Sequence, residues 1–125
     1  MDKFEIRVGS VLFTLAIIFG AFGAHALKGI IDQQSLATFE VGVRYQFYQA
    51  LGFLILGFSK DKLTFNLRPI SMGMLVGLIL FCGSIYAISL KELSPFSLSF
   101  LGPITPVGGL ILILSWIKFI IKSFK

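Results

Sequence analysis

Four apolar runs dominate this sequence, each about the 20 residues needed to cross roughly 30 Å of hydrocarbon at 1.5 Å per residue. They fall approximately at 8–27, 39–58, 69–90 and 98–121, with short polar connections between them. Charged residues make up 14% of the 125-residue chain against 56% hydrophobic ones, with a mean hydropathy of +0.92. A soluble domain of this length has too little polar surface to cover such a core. The expected architecture is all-α: a single membrane domain over 1–125, built as a four-transmembrane-helix bundle.

The first run must be weighed as a signal peptide, because Lys3 and Arg7 precede it and Ala24-His25-Ala26 matches a small-x-small cleavage pattern. It is longer than the usual apolar core of such a leader, and the rest of the chain is equally apolar. The expectation is a retained span.

Basic residues set the sidedness. Lys3, Arg7, Lys60, Lys62, Arg68, Lys118, Lys122 and Lys125 fall on one side of the four runs; only Lys28 and Lys91 fall on the other, and Arg44 lies within the second run. Cytoplasmic loops carry the excess of Lys and Arg, which places both termini in the cytoplasm. Trp116, just inside Lys118, fits an aromatic belt at the inner surface, and the phenylalanines read as lipid-facing bulk. The net charge of +5 is interleaved with spans and not gathered into a stripe, so no nucleic-acid partner is expected.

Helices in lipid associate by close van der Waals approach, which makes small residues informative. Ala16, Gly20 and Ala24 recur every fourth residue in the first run, and Gly73 and Gly77 form a GxxxG that Ser84 extends. Packing within one bundle is the favoured use of these stripes over a homodimer face.

The unusual polar residues collect towards the outer side. On a wheel of 100° per residue, Arg44, Tyr45, Tyr48, Gln49 and Gly52 fall within about 140°, opposite Val43, Phe47, Ala50 and Leu54, so that one face looks at lipid and the other at protein or water. A charge within a span costs about 2.5–3.5 kcal/mol at the centre and less near the ends. Arg44 therefore snorkels to headgroups, pairs with Glu40 four residues earlier, or supplies the charge of an inward anion pocket. The fourth run opens LGPITPVGG, where Thr105 stands as an N-cap before Pro106, the regular helix is expected to begin at Pro106, and 101–105 is expected to be irregular backbone at membrane depth. The candidate pocket is His25, Arg44, Tyr45, Tyr48, Gln49, Ser84, Tyr86, Thr105, Gly108 and Gly109.

Covalent chemistry finds little support. One histidine, His25, and one cysteine, Cys82, make no zinc or haem-attachment pattern and no intrachain disulfide. There is no carboxylate pair for a proton relay, and Gly20 to Gly23 lack the lysine of a phosphate loop. No catalytic residue, metal or cofactor is expected.

Taken in order, GAFGAHALK, YQFYQAL, FCGSIYAISL and LGPITPVGG resemble the domain-of-unknown-function 423 family of small four-helix membrane proteins, which includes transmembrane protein 256-like proteins. The likeness covers essentially the whole chain. It implies four spans and residence in a bacterial inner membrane, and brings no established biochemical activity with it. The family's first motif falls on Gly20, Gly23, Ala24, His25 and Lys28, its second on Tyr45, Gln46, Tyr48, Ala50 and Leu51. Gln49 stands where the family usually has a second histidine, and Ala26 where it has a glycine; an amide neither titrates nor binds transition metals well, which weakens a metal or relay site.

The leading functional expectation is a multi-pass inner-membrane protein with an outward-facing polar pocket for a lipid headgroup, a small anion or a partner helix. The alternatives are an oligomeric transporter or channel subunit and a membrane assembly or scaffold factor. Membrane lipids, a membrane-protein partner or further copies of the chain are the expected partners. In an unbroken first helix, His25 would point about 150° away from the Ala16, Gly20, Gly23, Ala24 stripe. Either the helix loosens near Gly23 and turns His25 inward, or His25 looks at headgroups.

Overall fold

The structure, a computed structural model, describes residues 2–124; Lys125, counted above among the C-terminal basic residues, lies outside the described residues. The described chain is helical: α1 (Phe4–Ile18), a π turn (Phe19–Gly23), α2 (Ala24–Leu27), α3 (Gln33–Phe58), α4 (Arg68–Ser89) and α5 (Ile104–Ser123), with single 3-10 turns at Lys60–Lys62, Lys91–Leu93 and Ser99–Leu101. The stretches Phe4–Leu27, Arg68–Ser89 and Ser99–Ser123 are each long and apolar enough to cross a membrane. The 26-residue α3 is long enough, at about 39 Å, but more polar.

The termini of these helices follow from local chemistry. Asp32 caps α3 by accepting the Ser35 N–H at 2.7 Å, so this helix begins six residues before the apolar run does. Gly29, at φ 85°, makes the reversal between α2 and α3 that an L side chain resists. Pro69 occupies the first turn of α4, where its missing N–H costs nothing. α5 starts at Ile104 rather than at Pro106: Thr105 lies inside the helix and caps nothing, and the irregular backbone ends at Pro103. Pro106 is still within the first turn, so its lack of a donor does not oppose the earlier start.

α3 and α4 pack at the centre, α1 lies against α3, and α5 lies against α4. The core runs through Phe53, Leu56, Leu67, Ile70, Met74, Leu78, Cys82 and Leu112. Phe53 is 1% and Phe39 5% exposed, so these two phenylalanines are core and not lipid-facing bulk. Small residues set the approach: a Cβ on Gly9 would meet the Ala50 carbonyl at 3.0 Å, and one on Gly77 the Gly108 carbonyl at 3.0 Å. The GxxxG of α4 is thus consumed within the chain, Gly73 against Ser115 and Gly77 against Gly108 and Leu112.

The two faces of α3 exist, but their orientation is the reverse of the wheel-based expectation. Phe39, Gly42, Val43, Gln46, Ala50 and Phe53 are buried, whereas Arg44, Tyr45 and Tyr48 are exposed. Close approach of small side chains selected the inward face, and the concentration of polar residues did not.

One end of the bundle gathers the N-terminus, the 59–67 connection and the end of α5, through Asp2 with Lys60 and Phe65 with Phe119. The other end gathers the 28–32 and 90–103 connections, through Ser35 with Glu92 and Ser84 with Thr105.

Candidate functional site

Halfway along the bundle, one side chain joins three helices. Gln46 Nε2 donates to the Leu12 carbonyl of α1 at 2.8 Å, and its Oε1 accepts from the Tyr86 hydroxyl of α4 at 2.6 Å. Phe19 and Phe39 stand 5.3 and 5.2 Å from the Tyr86 ring, and the Cys82 thiol donates to the Gly42 carbonyl at 3.4 Å. Each of these polar groups has a partner, as burial in an apolar setting requires. The node locks helices together.

A second assembly closes the end that carries the N-terminus. The Glu5 carboxylate, with no exposed surface, accepts from Lys60 Nζ and from the Ser71 hydroxyl, both at 2.6 Å. Asp2 pairs with Lys60 at 3.1 Å and with Arg68, whose guanidinium lies 4.1 Å from the centre of the Phe4 ring. Lys60, the Phe4 N–H and Arg68 together pull the Asp2 carboxyl down to about 2. Burial works against the Lys60 ammonium, yet Glu5 and Asp2 more than offset it and raise its value.

At the opposite end, the Ser35 hydroxyl donates to Glu92 Oε1 at 3.2 Å beside Asp32. The Ser35 N–H, then the Glu92 and Ser35 side chains and Lys91, hold the Asp32 carboxyl below its ordinary value. A polar depression of about 180 Å³ lies here, lined by Asp32, Gln34, Ser35, Thr38, Ile88, Ser89 and Lys91. Among the described residues, no three His, Cys, Asp or Glu side chains stand close enough to hold a metal ion.

The largest concavity described is a lateral groove of about 490 Å³ between α3 and α5. Tyr45, Gln49, Phe81 and Gly109 line one end, Leu112, Ile113 and Trp116 the middle, and Ile117 and Ile120 the other end. Its polarity is largely spent internally: Trp116 Nε1 donates to Gln49 Oε1 at 3.1 Å, and the Tyr45 ring stands edge-on to Phe81 at 5.0 Å. Trp116 therefore fills the seam between α3 and α5.

The ten candidate pocket residues do not converge. Tyr45, Gln49 and Gly109 line the α3/α5 groove, whereas Ser84 and Thr105 bond to each other across α4 and α5. Tyr86 belongs to the Gln46 node, and Gly108 to the close crossing of α4 and α5, where an added Cβ would meet the Phe81 N–H and, at 2.8 Å, the Gly77 carbonyl. His25, Arg44 and Tyr48 are exposed. Glu40 is exposed too and forms no ion pair with Arg44. The helix does loosen at FGAFG, where the Ala24 N–H reaches back five residues to the Phe19 carbonyl, but His25 stays outside.

Two functional-looking residues were missing from that set, Gln46 and Glu5. Gln46 sits four residues from Gly42 and from Ala50, so the small residues flanking it marked the packed face. Glu5 is an acid heading a span on the same side as Lys60 and Arg68, the pattern of a charge that finds its partner across a connection.

The family model for the protein of unknown function DUF423 matches residues 19–109. The chain belongs to the DUF423 family. Among its relatives, the UPF0382 membrane protein YwdK of Bacillus subtilis is 38% identical over 125 residues, covering 98% of each chain. A UPF0382 membrane protein of Staphylococcus haemolyticus is 33% identical over 123 residues, 98% of this chain and 97% of its own. One from Staphylococcus aureus is 36% identical over the same shares. No solved structure matches the chain. Membership agrees with the expected resemblance and, with the apolar helices, makes this a membrane protein. The family match takes in the π turn, Gln46 and Tyr86 of the node and the start of the groove, up to Gly109; Leu12, the node's acceptor on α1, precedes it.

Proposed function

We propose that this DUF423 member is a single-domain, four-span protein of a bacterial inner (plasma) membrane, with both termini in the cytoplasm, which holds a phospholipid in the α3/α5 groove and performs no covalent chemistry. The length of α3 supports the fourth span, since about 39 Å exceeds the roughly 30 Å of hydrocarbon. The grouping of Lys3, Arg7, Lys60, Lys62 and Arg68 with Lys118 and Lys122 at one end supports the orientation.

The groove carries the functional reading. It follows α5 from Gly109 to Ile120, about 16 Å at 1.5 Å per residue, which is the depth of one leaflet and suits one acyl chain. Lys118 and Lys122 belong to the turns of α5 at its cytoplasmic end, where they favour an anionic headgroup of the inner leaflet. This moves the expected pocket from the outer side to a lateral groove. A transport path has less support, because the interior polar groups Gln46, Tyr86, Ser84 and Thr105 are spent on one another.

Native mass spectrometry from anionic-lipid nanodiscs tests the reading. Wild-type protein should retain one phospholipid. Gly109→Leu should lose it, because its Cβ would make only ordinary contact with Phe81, at 3.4 Å, while the rest of the side chain fills the groove. Arg44→Gln, outside the groove, should leave it bound. A wild-type protein free of lipid, or a Gly109→Leu variant that keeps it, would sink the proposal.

A further inference from the structure

The outward side of α3 carries Glu40, Arg44, Tyr48, Leu51, Ile55 and Phe58, all exposed. Their spacing of four, four, three, four and three residues confines them to an arc of about 80° that runs the length of the helix. The last four steps follow the 3.5-residue repeat of two helices packed side by side with a left-handed twist. α1 and α4 use the other side of α3.

The Glu40–Arg44 end of this stripe is poorly suited to lipid. α3 is the one long helix among the described residues that does not meet the apolarity of a spanning stretch, and two of its charges stand on its free face. Glu40 and Arg44 have opposite sign, lie one turn apart, and form no ion pair with each other or with any described residue. Charges at such a position are normally matched by a partner.

We propose that this face is a homodimer interface: a second copy of the chain packs parallel about a two-fold axis along the membrane normal, with Arg44 of each copy paired to Glu40 of the other. In a parallel pair, identical positions face each other across the axis. Helical side chains lean towards the N-terminus, so Arg44 reaches one turn up its own helix, to the level of Glu40 on the facing copy. The symmetry makes the contact twice, and Tyr48, Leu51, Ile55 and Phe58 continue it as an apolar seam. The interface leaves the α3/α5 groove open. It rests on the four-span reading above and not on the groove's occupant.

Disulfide crosslinking in native membranes tests it. Tyr48→Cys should crosslink to a dimer, and Ile113→Cys, exposed on α5, should not; buried Cys82 supplies the background. Adding Glu40→Arg to Tyr48→Cys brings like charges together and should reduce the crosslink by at least about tenfold; adding Arg44→Glu as well should restore it. Absence of the Tyr48→Cys crosslink, or a crosslink indifferent to the charge changes, would overturn the interface. Labelling Gln33→Cys and Lys62→Cys from opposite sides of the membrane reports separately on the span: labelling from one side only removes the four-span reading, whereas a spanning α3 without a crosslink removes the dimer alone.

Discussion

At the scale of single residues, side chains that look alike in the sequence have different roles. Gln46 and Gln49 lie three positions apart in one polar run, yet Gln46 is buried among three helices and Gln49 only steadies Trp116. Tyr86→Phe removes the donor to Gln46 and leaves its amide oxygen unpaired, and should lower stability by about 1 kcal/mol; thermal unfolding in detergent measures it. Lys60 holds a heavier position, because Glu5 is fully enclosed. Lys60→Ala leaves that carboxylate without its cation and should cost about 3 kcal/mol in the same assay, whereas Lys62→Ala, at an exposed position, should cost close to nothing. Counting lysines grouped most of them towards one end of the bundle, but it did not reveal which lysine is held by a buried acid.

At the scale of elements, helix existence was legible and helix contact only partly so. All four apolar runs became helices, and GxxxG packs inside the chain as expected. The reach of α3 back to Gln33 and the start of α5 at Ile104 were not visible in hydropathy, because a polar first turn costs nothing in the interface. The π turn at FGAFG was foreseen only as loosening near Gly23; it leaves Phe19 edge-on to Tyr86 without bringing His25 inward. The tightest element contact is Gly108 of α5 against α4, where an added Cβ meets the backbone of Phe81, Gly77 and Leu80. Gly108→Ala should therefore cost about 2 kcal/mol or more, against little for Gly83→Ala, whose Cβ would meet nothing. Comparing the two melting temperatures checks this.

At the scale of the whole molecule, the end with the N-terminus is tied together by charge, and its pH range follows from Asp2 and Lys60. The folded Asp2 value, about 2 against an ordinary 3.8, means that its contribution is complete above 3.8 and disappears as pH falls through 2. Lys60 is raised above its ordinary 10.5, so its contribution is complete below 10.5 and disappears only as pH rises past the folded value. Electron–electron distances between spin labels at Lys3 and Asp61 should stay constant from about pH 4 to 10 and broaden below about pH 4. By itself the sequence determined the solvent: apolar runs of membrane length have no stable home in water, and neither helix nor span depends on knowing the neighbours. The grouping of basic residues likewise rests on composition alone. Which face of each helix turns inward was left to the tertiary structure, because in lipid a polar side chain gains little by mere inwardness and a helix settles where its backbone comes closest to another. That is why Gln46, flanked by Gly42 and Ala50, is buried, and why Arg44, the residue that looked most like a site, is left facing outward.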